Sequence, residues 1–217
     1  MNLVLFDLDN TLLSGDTDVE WVDFLVDQGV LPQPEREANH AMDRRYASGQ
    51  ASALEYVRFY LGYYRHYDQN ALRAWRAQFL ESTIRPRMLP AAQRLVASHT
   101  KDLVAIITAT NRFLSEPIAA AFGVEHVIAT ELEIVDGRFT GDVAGAPCMR
   151  EGKIQHLEAW LARRGELLRN FPESWFYSDS INDLPLLERV THPVAVDPDP
   201  RLADIARRRG WRTLTLR

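Results

Sequence analysis

Apolar positions change their period along this chain, and each change predicts a different kind of element. Residues 3–6, Leu-Val-Leu-Phe, form an unbroken apolar run that stops at Asp7. So short a run predicts a strand buried on both faces. Between Thr17 and Gly29 the period becomes helical: Val19, Val22, Leu25 and Val26 recur with Trp21 and Phe24, and Gly29 closes the pattern. Residues 35–48, 52–64 and 68–82 predict three more helices, broken at Gly49-Gln50 and His66-Tyr67, with Ser52 and Asp68 as N-caps. No strand pattern occurs between residue 14 and about residue 100. From there strand and helix alternate. Strands are predicted at 103–107, 127–129, 175–177, 194–196 and 211–216, and helices at 112–122, 150–163, from 184, and at 202–209. A hairpin over 133–142 turns on Asp136-Gly137.

That alternation predicts an α/β fold with a parallel sheet covered by helices on both faces. An all-helical insert of roughly seventy residues interrupts it, with crossing points at Ser14-Gly15 and Ile84 to Pro86. The predicted division is therefore a core of 1–14 plus 86–217 and a helical domain of 15–85.

Composition narrows the partners. The 217 residues are 46% hydrophobic and 25% charged, with a formal net charge of −5. Nothing here resembles a disordered chain, and no basic footprint exists for a nucleic-acid backbone. A single cysteine, Cys148, rules out an internal disulfide or a cysteine-based zinc cluster and fits a reducing compartment. No run approaches the roughly 18 apolar residues a membrane span needs. The expectation is a cytoplasmic protein acting on a small molecule, with neither nucleic acid nor membrane as partner. The oligomeric state is left open.

Ligands of an open parallel sheet bind beyond the carboxyl ends of its strands, so the residues after each apolar run matter most. The first run is followed by Asp7, Asp9 and Thr11. The second leads into Thr108, Ala109, Thr110 and Asn111, and the strand at 175–177 into Asp179, Ser180, Asn182 and Asp183. Folding three such strands in parallel gathers Asp7, Asp9, Asp179 and Asp183 at one edge, where like charges resist full ionisation without a cation. Carboxylate and carbonyl oxygens suit Mg²⁺. Lys153 stands in the first turn of a predicted helix, at the wrong end of the helix dipole for a cation. An anion compensates it, or it is simply a solvated surface lysine.

Taken together, DLDNT (7–11), ITAT (107–110), Lys153 and SDSIND (178–183) resemble the four ordered motifs of the haloacid-dehalogenase superfamily. The likeness covers nearly the whole chain, and the helical insert resembles the C1-type cap of the phosphoserine-phosphatase-like branch, subfamily IB. It implies a Rossmann-like three-layer core and a Mg²⁺-dependent phosphatase acting on a small phosphorylated metabolite. By that resemblance Asp7 is the nucleophile that becomes an aspartyl-phosphate, and Asp9 the general acid and then base. Thr108, Ala109, Lys153 and Asn182 hold phosphate oxygens, and Asp7, the main-chain carbonyl of Asp9 and Asp179 hold Mg²⁺. Thr11 and Asp183 support them. A dehalogenase needs no acid for a halide leaving group, so Asp9 favours phosphate esters. Asp16 and Arg58 fall where phosphoserine phosphatases place an acid and an arginine that grip an amino-acid substrate. The alternative for Arg58 is a surface pair with Glu55 or Glu81.

Two motifs depart from that branch. Thr-Ala-Thr-Asn stands where Ser-Gly-Gly is usual, and Ser-Asp-Ser where Gly-Asp-Gly is usual, so side chains replace bare backbone beside the phosphate. Histidinol phosphate, a small amino-alcohol ester, competes with phosphoserine as the expected substrate. A catalytically silent fold that binds a phosphometabolite or a protein through its cap, and a phosphotransferase, are the other readings. Six of the seven tyrosines lie between Tyr46 and Tyr67. Most are expected to pack the insert, with a minority from 58–67 lining the cavity. Asp197-Pro198-Asp199-Pro200 predicts a turn and an N-cap.

Overall fold

The computed structural model describes residues 1–217. The chain begins with β1 (Leu3–Phe6), then makes α1 (Thr17–Asp27), α2 (Pro34–Ala47), α3 (Ala53–Leu61), α4 (Gln69–Phe79) and α5 (Pro90–Ala97). There follow β2 (Leu103–Asn111), α6 (Arg112–Ala121), β3 (His126–Thr130), β4 (Leu132–Val135), β5 (Arg138–Val143) and α7 (Glu151–Arg163). The last elements are β6 (Ser174–Ser178), α8 (Leu184–Leu187), β7 (His192–Val196), α9 (Pro200–Arg209) and β8 (Arg212–Leu214).

Six strands form one sheet in the order β3-β2-β1-β6-β7-β8, and every pairing is parallel. β1 lies between β2 and β6, with Phe6 in register with both Ile106 and Tyr177. The residues after Phe6, Ile106 and Tyr177 therefore arrive at one edge together, where the strand order reverses. Side-chain alternation divides the core between the two faces of β1. Val4 and Phe6 join the apolar cluster that runs on into α1–α4, whereas Leu3 and Leu5 join α7, α8 and α9 on the other face. No helix is long and apolar enough to cross a membrane.

Three local differences from the sequence pattern have physical reasons. The helix expected over 52–64 stops at Leu61 and resumes as one 3₁₀ turn, Tyr64–His66. α5 escaped the periodicity because its seven residues after Pro90 bury only Ala92 and Val96. β2 runs four residues past the apolar stretch, to Asn111, because Thr108 and Thr110 are polar strand residues buried at the sheet edge. At the β4–β5 turn both Asp136 and Gly137 take positive φ, 49° and 73°, the conformation an Asp-Gly two-residue hairpin requires.

The chain leaves and re-enters the sheet at adjacent points. Leu13 bridges Met88, and the Ser14 N–H donates to the Arg87 carbonyl. α1 is capped by Asp16, whose Oδ1 accepts from the Asp18 and Val19 N–H groups. Trp21, Phe24, Tyr64 and Phe79 stack on one another inside the helical insert, which is why most of its aromatic residues are buried.

Candidate active site

Lys153 is the centre of the polar cluster. Its Nζ donates at 2.7 Å to Asp7 Oδ1 and at 2.7 Å to Asp183 Oδ2, and all three side chains are buried. The surface-lysine alternative is thereby excluded. Gly152 makes this placement possible, because a Cβ there would stand 2.2 Å from the Pro147 carbonyl oxygen. The first turn of α7 therefore seats against that loop, and Lys153 follows it into the core. Burial works against the ammonium, but Asp183 and Asp7 outweigh it and hold the Lys153 pKa above the ordinary lysine value.

One cation faces several carboxylates. Burial, reinforced by Asp183, raises Asp7 to about 7 against the pull of Lys153, and burial followed by the charges of Asp7 and Asp183 raises Asp179 to about 8. Thr11 Oγ lies 3.3 Å from Asp7 Oδ2 and 3.1 Å from Asp179 Oδ1, and the Asp179 N–H donates to Thr11 Oγ at 3.1 Å. Ser178 donates to Asp183 Oδ2 at 2.7 Å. No group of three His, Cys, Asp or Glu side chains is arranged for a metal. Two carboxylates and a main-chain carbonyl are the donor set expected for Mg²⁺, which keeps waters and takes a phosphate oxygen. The unbalanced negative charge on Asp7 and Asp179 fits a divalent cation there.

Asp9 is held from two sides. Thr110 at the end of β2 donates its hydroxyl to Asp9 Oδ2 at 2.5 Å. From the helical insert the Thr17 N–H donates to Oδ1 at 2.8 Å, and the Thr17 hydroxyl donates to the same oxygen. Burial raises the Asp9 pKa in spite of these bonds. Both hydroxyls can donate or accept, so they can serve Asp9 with or without its proton.

These groups line a cavity of about 620 Å³. Asp7, Asp9, Thr108, Ala109, Lys153, Asp179, Asn182 and Asp183 all reach it, as does Asp16. Thr11 stands behind Asp7 and Asp179, fully buried. Arg58 is not brought to this cavity. Its guanidinium binds Asp142 of β5 bidentately, at 2.9 and 3.0 Å, and more than half of the side chain is exposed. Glu55 and Glu81 are taken by Arg45 and Arg85 instead. The expected aromatic lining is corrected too: no residue of 58–67 lines the cavity, and its rings are Tyr46 and Tyr56. Tyr63 and Tyr67 use their hydroxyls within the insert, on Glu35 and the Val30 carbonyl.

Sequence reasoning overlooked several residues here. Thr17 and Thr110 gave no signal as Asp9 anchors. Asp199, assigned to an N-cap, does cap α9, but its Oδ2 also accepts the Ile181 N–H at 2.6 Å and its own N–H donates to the Asp179 carbonyl at 2.8 Å. It thus ties the Asp179 loop to α9. Arg150 and Arg201 line the cavity mouth, Arg150 with φ +51°, a conformation a β-carbon disfavours. Cys148 is buried, its thiol pushed up to about 12 by burial, which leaves it an inert packing residue.

Residues 4–188 match the model of the haloacid dehalogenase-like hydrolases. The chain belongs to that family. Among relatives of this hydrolase, a histidinol-phosphatase of Neisseria meningitidis serogroup C (strain 8013) is 40% identical over 220 residues, covering 100% of this chain and 99% of that protein. A solved protein of unknown function from Bordetella pertussis Tohama I superposes with a TM-score of 0.95 at 45% identity, over 99% of this chain and 98% of that one. A substrate-bound phosphoserine phosphatase shares the fold, with a TM-score of 0.70 at 18% identity over 100% and 93% of the two chains.

Proposed function

We propose that this haloacid dehalogenase-like phosphatase is a Mg²⁺-dependent phosphomonoesterase acting on a small cationic amino-alcohol phosphate, histidinol phosphate being the leading example. The observation that carries the reading is the buried Asp7–Lys153–Asp183 ion-pair network, with Asp9 beside it in the same cavity. In this reading an Asp7 carboxylate oxygen attacks phosphorus and the bond from phosphorus to the alcohol oxygen breaks. Asp9 gives its proton to the leaving oxygen. Water then attacks the aspartyl-phosphate and passes a proton to Asp9, which frees inorganic phosphate and restores both aspartates. Lys153, Thr108 and Asn182 hold phosphate oxygens, with Ala109 beside them, while Asp183 orients Lys153. Asp7, the Asp9 carbonyl and Asp179 hold Mg²⁺, which when bound neutralises charge on the phosphoryl group. Residues 15–85 act as the cap, and Asp16 faces the alcohol moiety.

Two features support the choice of alcohol. Every basic residue lining the cavity, Lys153, Arg150 and Arg201, comes from the core, while the helical insert adds Asp16, Asp18 and Asp43 and no cation. Arg58, the residue expected to clamp a substrate carboxylate, is occupied by Asp142 outside the cavity. A positively charged alcohol suits that wall better than an amino acid. The relative named histidinol-phosphatase points the same way.

The test is phosphate release from histidinol phosphate, phosphoserine, sugar phosphates and a lysophospholipid, with and without EDTA and with Asp7→Asn. Histidinol phosphate should give the highest kcat/KM, and both EDTA and the substitution should abolish turnover. Activity indifferent to both would overturn the mechanism, and a preference for phosphoserine would overturn the substrate.

A further inference from the structure

Beyond the phosphate machinery the cavity continues to a wall made by α2 and α3, where Asp43 stands out. Asn39 and Met42 are the buried residues of α2, and Asp43 and Tyr46 share their inward stripe, so this aspartate sits on the face where a helix normally carries apolar side chains. Its neighbours have structural employment. Asp16 caps α1 and receives the Tyr56 hydroxyl at 3.4 Å, and Asp18 accepts from Asn111 at 3.0 Å. Asp23, on the same side of α1, is engaged by Asn39, His40 and Arg36. Asp43 has no hydrogen bond and no ion pair, yet it lines the cavity.

A second observation lies beside it: Tyr46 and Tyr56 line the same cavity and pack with ring centroids 4.4 Å apart, giving the subsite flat aromatic walls. Three carboxylates without a cation, together with π faces, are the surroundings that attract a flat cation.

We propose that Asp43, with the Tyr46–Tyr56 pair, forms a second recognition subsite that receives a protonated nitrogen heterocycle, of imidazolium type, carried on the alcohol. The proposal rests on the phosphatase reading above and adds a residue and a chemistry to it. Asp43 is then the residue that separates a heterocyclic amino-alcohol ester from a plain one.

The test compares Asp43→Asn with the wild type on histidinol phosphate, on phosphoethanolamine, which keeps the amine but lacks the ring, and on p-nitrophenyl phosphate. The ratio of kcat/KM for histidinol phosphate to that for either other ester should fall about 10- to 100-fold, the worth of one charge-assisted contact, mainly through KM. An unchanged ratio overturns the subsite. Calorimetric binding of histidinol itself, which needs no turnover, should be weaker by a similar factor in Asp43→Asn and in Tyr56→Leu. If the wild type does not bind histidinol, the subsite fails. If it binds histidinol but hydrolyses no ester, the phosphatase reading fails while the subsite stands.

Discussion

The two walls of the cavity are both rich in carboxylates, yet they treat charge in opposite ways. On the sheet side Asp7 and Asp183 share Lys153 at 2.7 Å, Thr11 joins Asp7 to Asp179, and Ser178 steadies Asp183. On the helical side Asp16 and Asp18 bond only hydroxyls and amides, the Asp43 carboxylate bonds nothing, and no cation joins them. The first wall is a closed network whose remaining charge suits a metal and a phosphate. The second leaves its compensation to whatever enters. Under the proposed function, generic chemistry and substrate reading divide between the core and the insert, which meet at Asp9, held from both.

Substitutions on the sheet side should have the largest effects. Asp9→Asn should lower kcat by about 10²- to 10⁴-fold, the usual contribution of a positioned acid, while the protein stays folded by circular dichroism. A loss confined to KM would contradict the acid role. Lys153→Met leaves Asp7 and Asp183 buried without their cation and should cost about 3–5 kcal/mol in urea unfolding. If that variant is as stable as the parent, the network is not the keystone of the wall.

A pH series sharpens the contrast. Asp7 at about 7, Asp179 at about 8 and Asp16 at about 7 all lie above the ordinary aspartate value, in each case chiefly through burial. The folded chain therefore holds protons that the unfolded chain releases. That contribution to stability is present at pH 4 and is lost as the pH rises through 7 to 8. EDTA-treated protein should melt at a lower temperature at pH 8 than at pH 5.5. Mg²⁺ should remove the part due to Asp7 and Asp179 only. Asp18, raised well above the ordinary value by burial and then by Asp16 and Asp9, belongs to the other wall, so Asp18→Asn should reduce the slope that Mg²⁺ leaves. A melting temperature independent of pH in EDTA would refute this account of both walls.

The smallest effect is expected at the exposed Arg58–Asp142 pair. Arg58→Ala should leave urea unfolding nearly unchanged, as expected of a solvent-screened pair, and leave the kcat/KM ratio between histidinol phosphate and phosphoserine unchanged. A change in that ratio would return Arg58 to the substrate and weaken the division between the walls.

Much of the sheet-side wall was legible in the sequence because strand ends in a parallel sheet must converge. LVLF, followed by Asp7 and Asp9, and WFYS, followed by Asp179 and Asp183, place those carboxylates at one edge once the strands are neighbours. The helical wall was not legible in the same way. Arg58 and Asp43 both lie on amphipathic helices, and an error of one residue in helical phase turns a side chain by about 100°, enough to exchange cavity for solvent. Tyr46 and Tyr56 line the cavity while the denser aromatic run after them does not, since Tyr60 packs against Phe59 and Tyr56, and Tyr64 against Trp21, Phe113 and Phe139.

By itself the sequence determined the alternation of elements, the hairpin at Asp136-Gly137 and the set of polar residues at the strand ends, all consequences of spacing within a few residues. Only the tertiary structure decided that Lys153, 146 positions from Asp7, reaches it at 2.7 Å, that Arg58 spends its charge on Asp142, and that Asp43 faces inward unpaired. Periodicity acts through the local backbone, whereas the partner of a charge depends on which distant segments packing brings within a few ångströms.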